Sequence, residues 1–467
     1  MTDAAVTMDL HPRPGAGPPR PWSFPTPERS TLASGLTVLR CHRPGQQVVA
    51  VEISLGIPLS TEPEGLDGIA SIMANGLSQG TVGYSAEEFA AELERSGATL
   101  HTSTHQLGVR VSLEVPVSRL RKALGLVAEA LRSPTFADGE IARLVRNRLD
   151  GIRLELANPD RRAVKQLAQE LFPARSRLSR PRRGSEETVS RIDAAGVRAF
   201  YQAQVRPAGA TAVIVGDLTG VDLDAVLAGT LGSWAGGHPE PVPSPPLGSE
   251  GAGRVIIVDR PGAVQTQLLI GRVGPDRHDP VWPALVLGTY CLGGTLTSRL
   301  DRVLREEKGY TYGVRAFEQV LRSPAPGAPD TAAGASVLAI SGSVDTASTG
   351  PALNDLRAVL HTLAADGLTQ AERDTAVQNL VGVAPLEYER AAPVANTLAD
   401  QVEQHLPDDY QAQLYARLPG TGTAEATATV VAAFPENRLV TILVGDASQI
   451  EGPVQAAGLG DVGVVPG

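Results

Sequence analysis

His101 and His105 stand four residues apart, the spacing that on a helix puts two imidazoles on one face and lets them share a metal ion. Their surroundings, ATLHTSTHQLGVRV, alternate apolar and polar residues and so predict a strand. On a strand the two would lie about 13 Å apart, too far for one ion. The six other histidines, at positions 11, 42, 238, 278, 361 and 405, show no ligand spacing. Ser71 would need a base beside it to act as a nucleophile, and its predicted helix offers none. Cys41 and Cys291 sit in apolar contexts, where a buried free thiol is the ordinary case.

Two longer stretches carry more. In GIASIMANGLSQGT, residues 68–81, Ile69, Ile72, Met73 and Leu77 recur at helical spacing, and glycines at 76 and 80 mark the end. In YCLGGTLTSRLDRVLREEKGYTYGVRAF, residues 290–317, Leu300, Val303 and Leu304 form the apolar stripe of a helix that stops at Gly309. A strand from Tyr310 to Phe317 follows. Arg305 and Tyr312 lie seven residues apart across that junction. From residue types alone, Arg305 could pair with Glu306 or Glu307, and Tyr312 could be ordinary strand packing.

The elements that must position these residues are divided between two halves. The chain has 467 residues, 42% of them hydrophobic, enough for two or more packed cores. GGHPEPVPSPPLGSEGAG, residues 236–253, is rich in Pro, Gly and Ser and reads as a linker. On either side of it the same signals recur. Arg43-Pro44-Gly45 precedes an alternating run, and so does Arg260-Pro261-Gly262. The runs TAVIVGD and VTILVGD close on Asp217 and Asp446. A duplicated domain is the simplest explanation. Strands and helices are grouped rather than strictly alternating. The expected fold class is therefore α+β: two homologous domains at 29–235 and 254–467, each an antiparallel-rich sheet with helices on one face. Ser85 with Glu88 marks a helix start by the capping-box pattern. Residues 1–28, with many prolines and glycines, read as a flexible extension without a secretory signal, so a cytoplasmic location is expected.

Composition narrows the partners. A net charge of −10 disfavours sequence-independent nucleic-acid binding, and no stretch approaches the roughly 20 apolar residues of a membrane span. One basic run, from Arg175 to Arg183, reads as a solvated loop between helices, with a patch for acidic ligands as the alternative.

Residues 68–81 resemble the zinc-binding helix of the insulinase/pitrilysin peptidase family, whose pattern is roughly G-x-A-H-x-x-E-H-x-x-x-x-G-T. Gly68, Ala70, Gly80 and Thr81 match the frame. The first His position is Ser71, the general-base Glu is Ala74 and the second His is Asn75. The position of the third ligand, a Glu on a later helix, is Gly151. In the family two His at i and i+4 share the zinc, and the Glu between them polarises its water. None of the four residues here can take those roles. The second stretch is similar to the family's second-domain motif, matching at Gly293, Gly294, Ser298, Arg299, Leu300, Leu304, Arg305, Glu306, Gly309, Tyr312 and Val314. The resemblance implies that Arg305 and Tyr312 hydrogen-bond the substrate backbone and stabilise the developing oxyanion in a zinc site across a chamber.

By this resemblance the chain is expected to be the non-catalytic subunit of a heterodimeric zinc peptidase similar to processing peptidase. It would hold no cofactor itself. An HxxEH-bearing sister chain would carry the zinc, and each chain would form half of the chamber. The substrate would be an unfolded peptide, possibly a leader peptide. No nucleic acid or membrane is expected as a partner. A purely structural subunit, like the core proteins of respiratory complexes, is the alternative, and a self-sufficient peptidase with an unrecognised metal site is a third.

Overall fold

The computed structural model describes residues 21–237, 253–322 and 334–467. Most of the 236–253 linker and residues 1–20 lie outside the described residues.

The first half forms a six-stranded sheet from β1 (Glu28–Thr31), β2 (Thr37–His42), β3 (Val48–Ser54), β4 (Thr99–Thr104), β5 (Val109–Pro116) and β6 (Thr211–Gly216), ordered β1-β2-β6-β3-β5-β4. The second half repeats it with β7 (Arg254–Asp259), β8 (Gln265–Gly274), β9 (Thr311–Arg322), β10 (Ala335–Asp345), β11 (Val440–Gly445) and β12 (Asp461–Pro466), ordered β12-β7-β11-β8-β10-β9. In each sheet one central pair is parallel, β2 with β6 and β7 with β11, while β3 with β5 and β8 with β10 are antiparallel. The outer strands differ: β1 pairs antiparallel with β2, whereas β12 pairs parallel with β7. The α+β arrangement in two matching halves is as the sequence predicts.

The repeated motifs close the same clasp twice. The amides of Arg43 and Arg260 donate to the carbonyls of Gly216 and Gly445, each at 2.8 Å. The amides of Gly45 and Gly262 donate to the carboxylates of Asp217 and Asp446, each at 2.9 Å. Each R-P-G turn is thus tied to the end of the strand that crosses back beside it.

Every residue of β6 and β11 is buried. Strands buried on both faces read as continuous apolar runs, which is why TAVIVG and VTILVG do not alternate. One face of each sheet packs on helices of its own half. The other is covered by a helix from the opposite half. The Ala391–Glu403 helix lies across β3 and β6, with Val394, Ala395 and Leu398 against Val213 and Val215. The Pro159–Leu171 helix lies across β8 and β11, with Ala163, Leu167 and Leu171 against Leu269, Ile442 and Val444. The two halves therefore exchange helices.

The same seam captures the N-terminal segment. Phe24 is buried against Tyr388 with ring centroids 4.9 Å apart, and Trp22 stacks on Tyr388 at 5.9 Å. Residues 21–28, placed by the sequence in a flexible extension, are docked, because their two aromatic rings find an apolar seat on Tyr388 and Tyr415 beside the Ala391–Glu403 helix. Among the described residues no helix is long and apolar enough to cross a membrane.

A charged cluster pins the first exchange. Arg110 on β5 donates to Glu403 at 2.6 and 3.0 Å and to Asp400 at 2.8 Å. The Arg110 and Glu403 side chains are only 5% and 4% exposed. Removing one member of a buried ion pair strands the other charge and costs about 3–5 kcal/mol. Arg110→Ala should lower stability to urea or heat by that amount, whereas Arg153→Ala, at the exposed Arg153–Asp150 pair, should change it by less than about 1 kcal/mol.

Glu52 on β3 lies beside this cluster, with Ser112 Oγ donating to it at 2.5 Å and Arg110, Glu403 and Asp400 nearby. Burial pushes its carboxyl up from the ordinary 4.5 to about 7, against the pull of Ser112 and Arg110. Between those values the folded chain holds more protons than the unfolded one, so this residue's contribution to stability falls as pH rises from about 4.5 to about 7. Glu52→Gln should remove that fall, and the variant should gain on the parent between pH 5 and pH 8 in thermal unfolding.

Candidate functional site

The helix at Ile69–Gly76 is set by a buried ionic clamp. Gly68 precedes it with φ 100°. A Cβ at Gly68 would come 2.7 Å from the carbonyl oxygen of Arg183, so only glycine fits there. The Glu62 carboxylate accepts from the amides of Gly68 at 2.9 Å and Ala70 at 3.1 Å, and from Arg177 Nε at 2.8 Å. Burial raises the Glu62 carboxyl pKa, with Arg177 opposing. Arg180 Nε donates to Asp67 at 2.7 Å. The expectation of a solvated loop at Arg175–Arg183 is thus corrected: Arg177 and Arg180 are committed to fixing the start of this helix.

The clamp delivers no metal-binding face. Ser71 and Ala74 are 3% and 0% exposed. Asn75 spends its amide on the Ser71 carbonyl at 2.7 Å. Gly151 lies on the Asp138–Ala157 helix, which packs against Ile69–Gly76. A Cβ at Gly151 would sit 3.4 Å from Arg148 Nη1. Arg148 is itself held by Glu155, at 2.8 Å to each carboxylate oxygen, and by the Arg183 carbonyl at 2.9 Å. The structure therefore brings the Ile69–Gly76 and Asp138–Ala157 helices together, but with a buried hydroxyl, a committed amide and a guanidinium where ligands would be needed. Zinc does not fit these residues. Among the described residues no group of three or more His, Cys, Asp or Glu gathers in a metal-binding arrangement.

The other candidates lie apart. His101 is on β4, and His105, just beyond the strand, has Nε2 2.9 Å from Ser103 Oγ. Both cysteines are buried and free, and burial pushes the Cys291 thiol up to about 12. Arg148 with Glu155, and Glu62 with Arg177, were missed in the sequence. The first pair left a faint signal, seven residues apart on one helix. The second spans 115 residues and left none.

Arg305 and Tyr312 are brought together. The Trp282–Gly293 helix ends against β9, where a Cβ on Gly293 would collide with the Ala316 backbone nitrogen. Arg299 is held by both oxygens of Glu372, at 2.6 and 2.7 Å. Fully buried Asp301 accepts from the Val314 amide at 2.8 Å and from Arg315, so the short helix and the start of β9 are locked in register. Between them, Arg302–Glu307 forms a π-helical turn, a distortion common at functional sites. The result places the Arg305 guanidinium carbon 5.7 Å from the centroid of the Tyr312 ring, within cation–π range. Arg305 also bonds Glu306 at 2.8 Å. Tyr312 is 92% exposed. It is not strand packing: the phenol stands clear of its own chain.

Residues 37–181 match the insulinase family, peptidase family M16, and residues 191–380 match the peptidase M16 inactive domain. The chain belongs to the M16 insulinase family. It is 25% identical over 358 residues to an uncharacterized zinc protease of Mycobacterium leprae, covering 76% of this chain and 77% of that one. It is 22% identical over 363 residues to the uncharacterized zinc protease YmxG of Bacillus subtilis, covering 78% and 84%. In fold it is similar to a peptidase M16 inactive domain from Pseudomonas fluorescens, with TM-score 0.79, 22% identity and coverage of 90% of this chain and 98% of that one. A protease from Helicobacter pylori has the same TM-score at 19% identity, covering 90% and 100%. Within this M16 family, Ser71, Asn75 and Gly151 as the structure places them do not fit a zinc ion. Metal analysis of the purified, dialysed chain should find far less than one zinc per chain; a stoichiometric, tightly held ion would contradict this site geometry.

Proposed function

We propose that the chain is the non-catalytic partner of a zinc-bearing M16 sister, completing the chamber around an unfolded peptide and lending Arg305 and Tyr312 to the sister's site. The observation that carries this is the exposed phenol of Tyr312 held beside Arg305 on a scaffold locked by Asp301. An exposed tyrosine contributes little to this chain's own packing, yet three buried contacts fix its place. A guanidinium and a phenol side by side offer fixed donors to a peptide carbonyl on which negative charge grows. Hydrolysis would occur on the sister's residues, and this chain's part would be to orient the backbone and stabilise that charge. A leader peptide is the substrate this reading favours. The two buried free thiols fit the cytoplasm as its compartment.

Co-expression with an HxxEH-bearing sister should give a 1:1 complex that survives size exclusion. In that complex Tyr312→Phe and Arg305→Ala should lower kcat by about 10²–10³-fold, the usual loss for an oxyanion donor, and leave the complex assembled. A purely structural subunit predicts unchanged turnover for both. Full activity in an intact Tyr312→Phe complex would overturn the reading.

A further inference from the structure

A second feature lies between the halves. A cavity of about 640 Å³ is walled by the Asp138–Ala157 and Pro159–Leu171 helices and residues 178–187, and floored by β8, β9 and β10. That volume lies within the range of ligand clefts, about 300–1,000 Å³. Its wall carries seven arginine or lysine side chains against three glutamates. Some of these are spent: Arg148 on Glu155 and Arg180 on Asp67. Arg161, Lys165 and Arg182 have no carboxylate within ion-pairing distance among the described residues, and Arg183 reaches Glu155 only at 3.8 Å. In a chain of net charge −10, cations gathered on one cleft without carboxylate partners make a local positive potential that favours an anionic ligand. Partial burial and repulsion from neighbouring arginines lower the pKa of Arg182 and of Lys165, in keeping with this crowding of like charge.

The floor is of another kind. Leu269, Leu321 and Val337 line it, and three apolar side chains left exposed by the fold converge here: Leu156 at 38%, Val164 at 54% and Phe317 at 37%. Phe317 follows Tyr312 on β9 by five residues, about 17 Å along the strand. A ligand matching both surfaces must carry carboxylates and apolar side chains together. Nucleic acid would satisfy the cations, but of the two aromatic rings in the lining, Phe172 is only 3% exposed and Phe317 alone is open for a base to stack on.

We propose that this cavity binds an acidic, apolar-rich segment of a peptide, with the cations of Arg161, Lys165 and Arg182 meeting its carboxylates and the Phe317 floor its apolar side chains. The proposal rests on the reading of the chain as a peptidase subunit and names the class of peptide it selects.

The test uses the full chain and a fluorescein-labelled nine-residue peptide of alternating Glu and Leu, followed by anisotropy at physiological salt. Saturable binding is expected, weakening as salt rises. The Lys/Leu counterpart should bind at least about tenfold more weakly. Arg161→Glu with Lys165→Glu, two helix positions without side-chain hydrogen bonds, should weaken the acidic peptide about tenfold while the thermal midpoint stays put. Phe317→Ser should weaken it independently of salt. In the complex with the sister chain, the double charge reversal should raise KM for an acidic substrate and leave kcat unchanged. Equal binding of the Lys/Leu peptide, undiminished binding by the double variant, or tighter binding of oligo(dT) than of the Glu/Leu peptide would each overturn the proposal. Those results would leave the Tyr312 reading standing, since that reading is measured by kcat in the complex.

Discussion

Both sheets have two apolar faces, and each half supplies helices for only one of them. This constraint organises the molecule. The uncovered face of the first sheet is met by Ala391–Glu403, and that of the second by Pro159–Leu171. Neither half is a closed unit without the other. The exchanged helix also carries the carboxylates of Asp400 and Glu403 to Arg110, so apolar burial and ion pairing act along the same seam. The same seam seats Trp22 and Phe24. The cavity with its uncompensated cations exists because Pro159–Leu171 crosses to the far sheet and takes Arg161 and Lys165 with it.

Much of this was legible in the residues, because local rules governed it. Ser85 and Glu88 form the expected capping box, with the Glu88 carboxylate accepting from the Ser85 amide at 2.9 Å. The paired R-P-G and V-G-D signals mark a clasp that closes identically in both halves. The stripe of Leu300, Val303 and Leu304 and the stop at Gly309, where φ is 67°, belong to a helix and a turn that short-range chemistry specifies. The exchange of helices was not legible. An amphipathic stretch says that it has an apolar face, but not which sheet will receive it. The fate of the 175–183 run was hidden for a related reason: Arg177 finds its carboxylate 115 residues away.

The Ile69–Gly76 helix shows a frame held by packing and its buried ionic clamp. Gly68, Ala70, Gly80 and Thr81 answer to backbone geometry and packing, which require no metal. Ser71 and Ala74 are small and buried, and the charge near Gly151 is a guanidinium closed by Glu155. The second-half motif differs because its glycines and Asp301 fix a side chain that faces away from the chain. Position there is specified by buried contacts and the chemistry by an exposed ring.

The exchanged helices also impose an order on synthesis. β6 ends at Gly216, and the helix that must cover its outer face is complete only at Glu403. At roughly 5–20 residues per second, the growing chain carries that apolar face uncovered for roughly 10–40 seconds. During this interval Leu39, Ala50, Val213 and Val215 present a sticky surface that only a distant, untranslated segment can close.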